Sequence, residues 1–304
     1  MNRLNLEVIN RSIKDNPEKF IEECENSYKE QVETVAKQVA EKKGRELIML
    51  AGPSSSGKTT TAGNFKKELE ALGRKAKVIS LDDFYSDQSL TYTFEDGTTD
   101  YETVKALDVS LIDSCLSELM EKGCTDIPHF SFHTKKREGF SRVCCEKDEI
   151  VIVEGLHALN PVITDALDSY SMKKVYISVS SRISDENGVL FSKRDLRFIR
   201  RLIRDYHFRS SDVAYTFYLW KGVRMGEDRY LFPFSNRADV KIDSIHPYEP
   251  CLFKKEAIKL LDHIGQDSIY YSLAVSLKQR LEDFISIDKS SIPEDSLLRE
   301  FIGS

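Results

Sequence analysis

The sequence lacks long hydrophobic runs: no stretch of its 304 residues approaches the length of an apolar membrane helix. The amino-terminal residues carry acidic side chains early and no apolar block, which argues against a signal peptide. An excess of basic charge is also missing, because the formal net charge is −6, so the surface as a whole does not attract nucleic acid or an anionic membrane. These absences predict a cytoplasmic protein without a membrane partner, in which phosphate binding depends on a local basic cluster.

Cysteine spacing typical of a zinc site is missing as well. The six cysteines include no C-x-x-C pair, and the adjacent Cys144 and Cys145 are not expected to bond to each other. We therefore expect reduced thiols, as is usual in the cytosol. An apolar share of 40% and a charged share of 31% are ordinary for a soluble globular protein, and a chain of this length can bury a core without crosslinks.

Short apolar segments alternate with helical patterns through the middle of the chain. Strands are predicted at 47–51, 77–81, 150–153 and 175–179, with helices between them. Such alternation predicts an α/β fold, a parallel sheet flanked by helices and joined by right-handed crossovers. Residues 86–145 are less regular and are predicted to meet the substrate.

The strongest motif is GPSSSGKT at residues 52–59, which fits G-x-x-x-x-G-K-[ST] between a predicted strand and a predicted helix. Its glycines let backbone N–H groups point at phosphate oxygens, and the helix start adds partial positive charge. Lys58 is expected to reach the β- and γ-phosphates and the Thr59 hydroxyl to bind Mg²⁺. An accidental glycine turn is the alternative, and the flanking strand and helix count against it. The predicted nucleotide-binding residues of this loop are Gly52, Ser54, Ser55, Ser56, Gly57, Lys58, Thr59 and Thr60.

Acidic residues follow two of the predicted strands. Asp82 and Asp83 come after the second strand, where a carboxylate faces the γ-phosphate and can accept a hydroxyl proton or hold a metal-bound water. Because one of the two could instead cap a helix, we assign Asp82 to chemistry and Asp83 to capping. Glu154 ends the strand at 150–153 in a Walker B pattern and is expected near the metal, with an ordinary strand-end acid as the alternative.

A strongly basic helix is predicted at 193–209, with seven basic residues against two acids. Arg197, Arg201 and Arg204 share one face, since they are spaced four and three residues apart. Several guanidinium groups on one face suit a lid that closes on a triphosphate and neutralises developing charge. A solvated or RNA-binding face is the alternative, but RNA binding usually involves a basic domain, so nucleic acid is not the expected partner.

These motifs, in this order, resemble the uridine kinase and phosphoribulokinase family of P-loop kinases. The likeness is carried by GPSSSGKTT at 52–60, LDDFY at 81–85, VEGLHALNP at 153–161 and RFIRRLIRDYHFR at 197–209. It implies an ATP- and Mg²⁺-dependent kinase with a P-loop NTPase-type sheet, a mobile arginine lid and a small-molecule acceptor.

The resemblance also implies roles for single residues. Asp82 matches the family's catalytic base, acting with Lys58 of the P-loop, and Glu102 falls where uridine kinases hold the ribose hydroxyls. Three lid arginines are matched: Arg201 and Arg204, assigned to catalysis, and Arg209, assigned to nucleotide binding.

One segment departs from the family pattern. Uridine kinases read the pyrimidine with the Tyr and His of P-x-Y-D-F-x-x-H-x-R, and here Phe130 stands in place of Tyr and Lys135 in place of His. A base edge demands matched donors and acceptors, so pyrimidine recognition is not implied. The candidate acceptor-binding residues are Asp82, Tyr85, Glu102, Phe130, His133 and Arg137.

A closer likeness is to a bacterial uridine kinase-like branch, whose kinase module often follows a TGS domain that this sequence lacks. Its markers here are WKGVRMGE at 220–227, FPF at 232–234 and SLLREFIG at 296–303. We predict three parts: a helical N-terminal extension at 1–44, the P-loop kinase core with its arginine-rich lid at 45–245, and a helical C-terminal extension at 246–304.

The predicted function is transfer of the γ-phosphate of ATP to a hydroxyl of a small molecule, with a nucleoside as the first choice of acceptor. A sugar or sugar phosphate, as in phosphoribulokinase, is an alternative. A second alternative is a nucleotide-sensing or RNA-associated protein that retains the ATP site without efficient transfer. The sequence leaves the oligomeric state open, a homo-oligomer included.

Overall fold

A computed structural model of the chain describes residues 3–87, 92–95, 97 and 99–303. Its strands are β1 (Arg3–Asn5), β2 (Glu46–Ala51), β3 (Ala76–Ser80), β4 (Cys124–Ser131), β5 (Lys136–Cys144), β6 (Ile150–Glu154), β7 (Met172–Ser178), β8 (Arg182–Asp185), β9 (Gly188–Phe191) and β10 (Val240–Asp243). Its α-helices are α1 (Leu6–Asp15), α2 (Pro17–Ala40), α3 (Lys58–Ala71), α4 (Val109–Lys122), α5 (Pro161–Thr164), α6 (Lys193–Arg209), α7 (Val213–Tyr230), α8 (Glu249–Leu261), α9 (Tyr271–Glu282) and α10 (Arg299–Ile302).

The centre of the fold is a five-stranded sheet in the order β10-β7-β2-β6-β3. Every neighbouring pair in it is parallel, which confirms the predicted α/β class. Strands β2 and β6 lie in the middle and are buried along their whole length, as expected for short apolar runs covered by helices on both faces. The fifth strand, β10, was not predicted, because it is a four-residue edge strand without an apolar run of its own.

The segment expected to be irregular, 86–145, contains regular structure, so that expectation is wrong for much of it. Helix α4 begins where Asp108 accepts the Leu111 N–H and ends at Gly123, whose φ is 84°. An antiparallel hairpin of β4 and β5 follows. It joins Cys124 to Cys144 in a disulfide, so the expectation of reduced thiols throughout is also wrong. The cause is the hairpin register, which sets these two residues opposite each other.

The two ends of the chain pack on the central sheet. Residues 3–5 form a strand parallel to β8, so the N-terminal extension is not wholly helical. Helix α2 and the C-terminal residues share one hydrophobic cluster with the sheet, which includes Val35, Ile48, Leu297 and Phe301. The proposed division at residues 44 and 245 stays a prediction.

Within the described part of the chain, no helix combines the length and apolar character needed to cross a bilayer.

Candidate active site

The P-loop connects the end of β2 to the start of α3, and its glycines are required by close contacts. A Cβ at residue 52 would lie 2.3 Å from the Ile177 carbonyl oxygen of the neighbouring strand. At Gly57 the backbone has a φ of 86°, and a Cβ would lie 2.5 Å from Leu297 Cδ1. Only glycine fits such positions without strain. The loop is therefore held between the sheet and the C-terminal segment.

Glu154, at the end of β6, contacts the P-loop through Thr59. Lys58 Nζ donates to the Pro53 carbonyl at 3.2 Å. The hydroxyls of Thr59 and Ser80 both donate to Glu154 Oε1, at 3.2 and 3.0 Å. Because β6 lies between β2 and β3, Glu154 at its end reaches both neighbouring loops. Burial raises the pKa of Glu154, and the charge of Lys58 opposes that rise. A hydroxyl beside a carboxylate suits Mg²⁺, which takes few protein ligands alongside phosphate and water.

A 3₁₀ turn at Leu81–Phe84 follows β3 and carries the second acidic pair. Ser80 caps this turn by accepting the Asp82 N–H at 3.3 Å, so the assignment of capping to Asp83 is wrong. Asp83 instead lies 3.8 Å from His129. Asp82 is exposed to solvent. Surrounding protein raises the pKa of its carboxyl, and the charges of Lys58 and Arg209 oppose the rise.

Glu102 lies within electrostatic range of Lys58 and Arg201. Burial raises the pKa of its carboxyl to about 7, with Glu227 adding to the rise and Arg201 and Lys58 opposing it. Helix α7 comes very close, since a Cβ at residue 226 would lie 2.2 Å from Glu102 Cβ.

The backbone of Glu102 is held by a buried histidine. His157 Nε2 lies 2.9 Å from the Glu102 carbonyl oxygen. Burial lowers the pKa of His157 to about 4, so the imidazole is neutral near pH 7 and Nε2 carries the proton that it donates. This contact fixes the backbone that carries the Glu102 carboxylate near Lys58 and Arg201.

Helix α6 starts with a capping box between Ser192 and Asp195. Two of its arginines form buried ion pairs with other helices: Arg197 with Glu227 at 2.7 Å and Arg200 with Glu249 at 2.5 Å. The Arg197 guanidinium also donates to a P-loop carbonyl, that of Ser54, at 3.0 Å. These arginines therefore attach the helix to the protein interior, and the mobility expected of a lid stays a prediction.

The three arginines assigned to the lid differ in their partners. Arg201 donates to Ser54 Oγ at 2.8 Å, which places it directly beside the loop. Arg204 donates to Asp205 at 2.8 Å and lies 3.7 Å from Glu300. Arg209 is more exposed and lies 3.6 Å from Asp205.

The candidate acceptor residues are partly assembled. The rings of Tyr85, Phe130 and Phe132 form a cluster with centroids 5.2 to 5.5 Å apart. Arg137 is paired with Asp108 at 3.2 Å. His133 is exposed on the turn between β4 and β5, so the structure does not bring it into this aromatic cluster.

Several residues near the P-loop were not singled out from the sequence. Glu227 Oε1 accepts the Ser54 N–H at 2.8 Å, although the segment 220–227 was noted only as a marker of the uridine kinase-like branch. His157 stands inside the motif VEGLHALNP, and Ser80 directly precedes LDDFY. Each of these residues lies in or directly beside a segment that carried the family resemblance, and that position was the available signal.

Comparison with known proteins places these features in a family. The family model described as "Phosphoribulokinase / Uridine kinase family" matches residues 47–248. The uridine kinase of Staphylococcus aureus strain JH9 is 30% identical over 203 residues, which is 66% of this chain and 88% of that protein.

Two solved structures are less similar to this chain in sequence. A possible uridine kinase from Bacillus stearothermophilus has a TM-score of 0.47 and 19% identity, covering 70% of this chain and 98% of its own. The D-glycerate 3-kinase from Cryptococcus neoformans var. grubii has a TM-score of 0.43 and 12% identity, covering 71% and 89%.

Proposed function

This chain belongs to the phosphoribulokinase and uridine kinase family, and we propose that it transfers the γ-phosphate of ATP to a hydroxyl of a nucleoside. One observation carries the proposal: a P-loop threonine contacts a strand-end carboxylate and a lid arginine contacts the P-loop, so groups suited to metal and to phosphate adjoin one another. The charge of Lys58 acts on the pKa values of Asp82, Glu102 and Glu154, and that of Arg201 on Glu102. A group of charges of this composition can hold a triphosphate and a hydroxyl acceptor together.

On the donor side, the P-loop amides and Lys58 hold the phosphates. Thr59 and Glu154 would hold Mg²⁺, which would neutralise phosphate charge when bound. Arg201 lies beside the loop at Ser54 and stabilises the negative charge that develops on the transferring group. Arg204 and Arg209 bind phosphate oxygens from the same helix.

On the acceptor side, Asp82 takes the proton of the attacking hydroxyl. Its position after β3, next to the strand that carries Glu154, is the place from which a carboxylate faces the γ-phosphate. Glu102 accepts hydrogen bonds from a vicinal pair of ribose hydroxyls. Because the pKa of Glu102 is about 7, this acceptor contact strengthens as the carboxyl ionises.

The aromatic cluster favours a flat acceptor group. Tyr85, Phe130 and Phe132 offer ring faces on which a base can stack, and such contacts are tolerant of base identity. Phe130 offers no polar group for a base edge, however. We therefore expect a nucleoside other than uridine or cytidine to be the preferred acceptor.

A steady-state screen with purified protein, ATP and Mg²⁺ tests the proposal. The panel contains purine and pyrimidine nucleosides, free pentoses and pentose phosphates. Turnover of a nucleoside, with uridine and cytidine poor, is the expected result. Efficient uridine turnover would show that another group reads the pyrimidine, turnover of a sugar phosphate alone would favour the phosphoribulokinase-like alternative, and no transfer despite ATP binding would favour a nucleotide sensor.

A further inference from the structure

A cavity lies beside the C-terminal segment, next to Thr60 in the first turn of α3. Its volume is about 540 Å³, and it is lined by Phe208, Glu294, Arg299, Glu300 and Gly303. Apart from Phe208, these residues belong to the C-terminal segment, beyond the region 47–248 that the family model matches. The cavity is therefore built largely by this chain's own C-terminal segment.

The cavity is joined directly to the P-loop. Glu300 accepts the hydroxyl of Thr60 at 2.7 Å, and Leu297 packs against Gly57. Thr59, one residue earlier, points to Glu154 instead. Successive residues of a helix are rotated by about 100°, so the two threonines point in different directions. With the γ end of a triphosphate at Lys58 and Glu154, as the proposed function has it, Thr60 is left to face another part of the nucleotide.

Arg299 braces the C-terminal segment from within. The Arg299 guanidinium donates to the carbonyl oxygens of Pro293 and Gly303, at 3.2 and 3.1 Å. It also donates to the carbonyl oxygens of Lys289 and Ile292. Four backbone contacts from one residue pre-organise the turn, so the cavity wall is in place before any ligand arrives.

The lining has the chemistry of a nucleoside site. Phe208 is an exposed aromatic side chain, with 54% of its surface accessible, and its ring edge lies against Gly303. Its ring can stack on a nucleobase. The carboxylates of Glu294 and Glu300 can accept hydrogen bonds from ribose hydroxyls or an exocyclic amine. We propose that residues 293–303, together with Phe208, form the binding site for the base and ribose of the phosphate donor, an inference that rests on the proposed kinase function.

Isothermal titration of the full-length protein with ATP and with inorganic tripolyphosphate, each with Mg²⁺, tests this. Tripolyphosphate reports the P-loop alone, because it has no base or ribose. Phe208→Ala is expected to weaken ATP binding about tenfold, as loss of one base stack does, and to leave tripolyphosphate binding unchanged. Tyr206→Ala removes an exposed aromatic from the same helix outside the cavity and should change neither.

The possible outcomes are distinct. If Phe208→Ala weakens ATP no more than Tyr206→Ala does, or weakens both ligands equally, the C-terminal site is overturned while the kinase proposal stands. If the wild-type protein binds neither ligand, the proposed function itself falls, and this inference with it. Hydrogen–deuterium exchange gives an independent readout: ATP, but not tripolyphosphate, should protect residues 293–303, and equal protection by both would contradict the assignment.

Discussion

Arg197 and Glu227 form a bidentate ion pair directly under the P-loop, with nitrogen–oxygen distances of 2.7 and 2.8 Å. Both side chains are almost completely buried. The pair continues into the loop itself, since Glu227 accepts the Ser54 N–H and Arg197 donates to the Ser54 carbonyl. Helices α6 and α7 thereby set the backbone position of a residue in the predicted nucleotide-binding loop.

Breaking this pair should be costly because it leaves a buried charge without a partner. We expect Arg197→Met to lower the free energy of unfolding by about 3–5 kcal/mol, measured by urea denaturation. Adding Glu227→Gln should recover part of the loss, because the charge is gone while the amide oxygen still accepts the Ser54 N–H. A double variant that is less stable than Arg197→Met would contradict the buried-charge explanation.

Lys58→Ala should weaken ATP binding about tenfold or more, because a charged donor to the phosphates is lost, and should abolish phosphoryl transfer. The fold should be unchanged by circular dichroism, since this amine donates to the Pro53 carbonyl of its own loop and forms no hydrogen bond to another described side chain. Lys66→Ala, on the exposed side of the same helix, is the matched control for titration and assay. Unchanged turnover in Lys58→Ala would rule out the P-loop as the donor site.

Asp82→Asn should reduce turnover on the order of a hundredfold or more while the dissociation constant for ATP changes little, because the amide cannot accept the proton. Asp83→Asn is the control: it removes the neighbouring charge, which faces His129, and should have a small effect. Steady-state kinetics and titration with a non-hydrolysable ATP analogue measure both quantities. If Asp82→Asn instead loses nucleotide binding, Asp82 is mainly a metal-site residue and Glu102 becomes the next candidate for the base.

Arg204→Ala is expected to act on binding as well as on rate. Turnover should fall by up to roughly a thousandfold if the residue works as an arginine finger does, and the dissociation constant for ATP should rise. Arg194→Ala removes an arginine of the same helix that pairs with Asp228, and it should leave both values near wild type. Equal effects of the two substitutions would mean that general charge, rather than the position of Arg204, is responsible.

Glu102 should make stability depend on pH. Because the native carboxyl has a pKa of about 7, raised from 4.5, the folded state holds this proton more tightly than the unfolded state does. Raising the pH from about 5 to 8 therefore destabilises the wild type relative to Glu102→Gln, which mimics the neutral acid. The difference in melting temperature, variant minus wild type, should grow through about pH 7.

Differential scanning fluorimetry at a series of pH values measures this. Glu118→Gln serves as the control, because Lys122 lowers the pKa of that carboxyl and its protonation lies below this range. A pH-independent difference for Glu102→Gln would show that its native pKa is not raised.

The sequence alone determined the features that depend on neighbouring residues. The strand–loop–helix of the P-loop, the acids at the ends of β3 and β6, and the bounds of helix α6 all follow from local spacing and apolar pattern. For this reason the α/β class, the family and the motif residues could be predicted before any contact was known.

Only the tertiary structure decided what surrounds those motifs. Glu227 reaches Ser54 across 173 residues of chain, and Glu300 reaches Thr60 across 240. The pairing of Cys124 with Cys144 depends on a hairpin register. Such contacts carry no local signal, since the chain pattern specifies which face of an element is buried but not which partner meets it. The P-loop could therefore be found from its own residues, whereas the carboxylates and C-terminal segment that hold it became visible only in the folded protein.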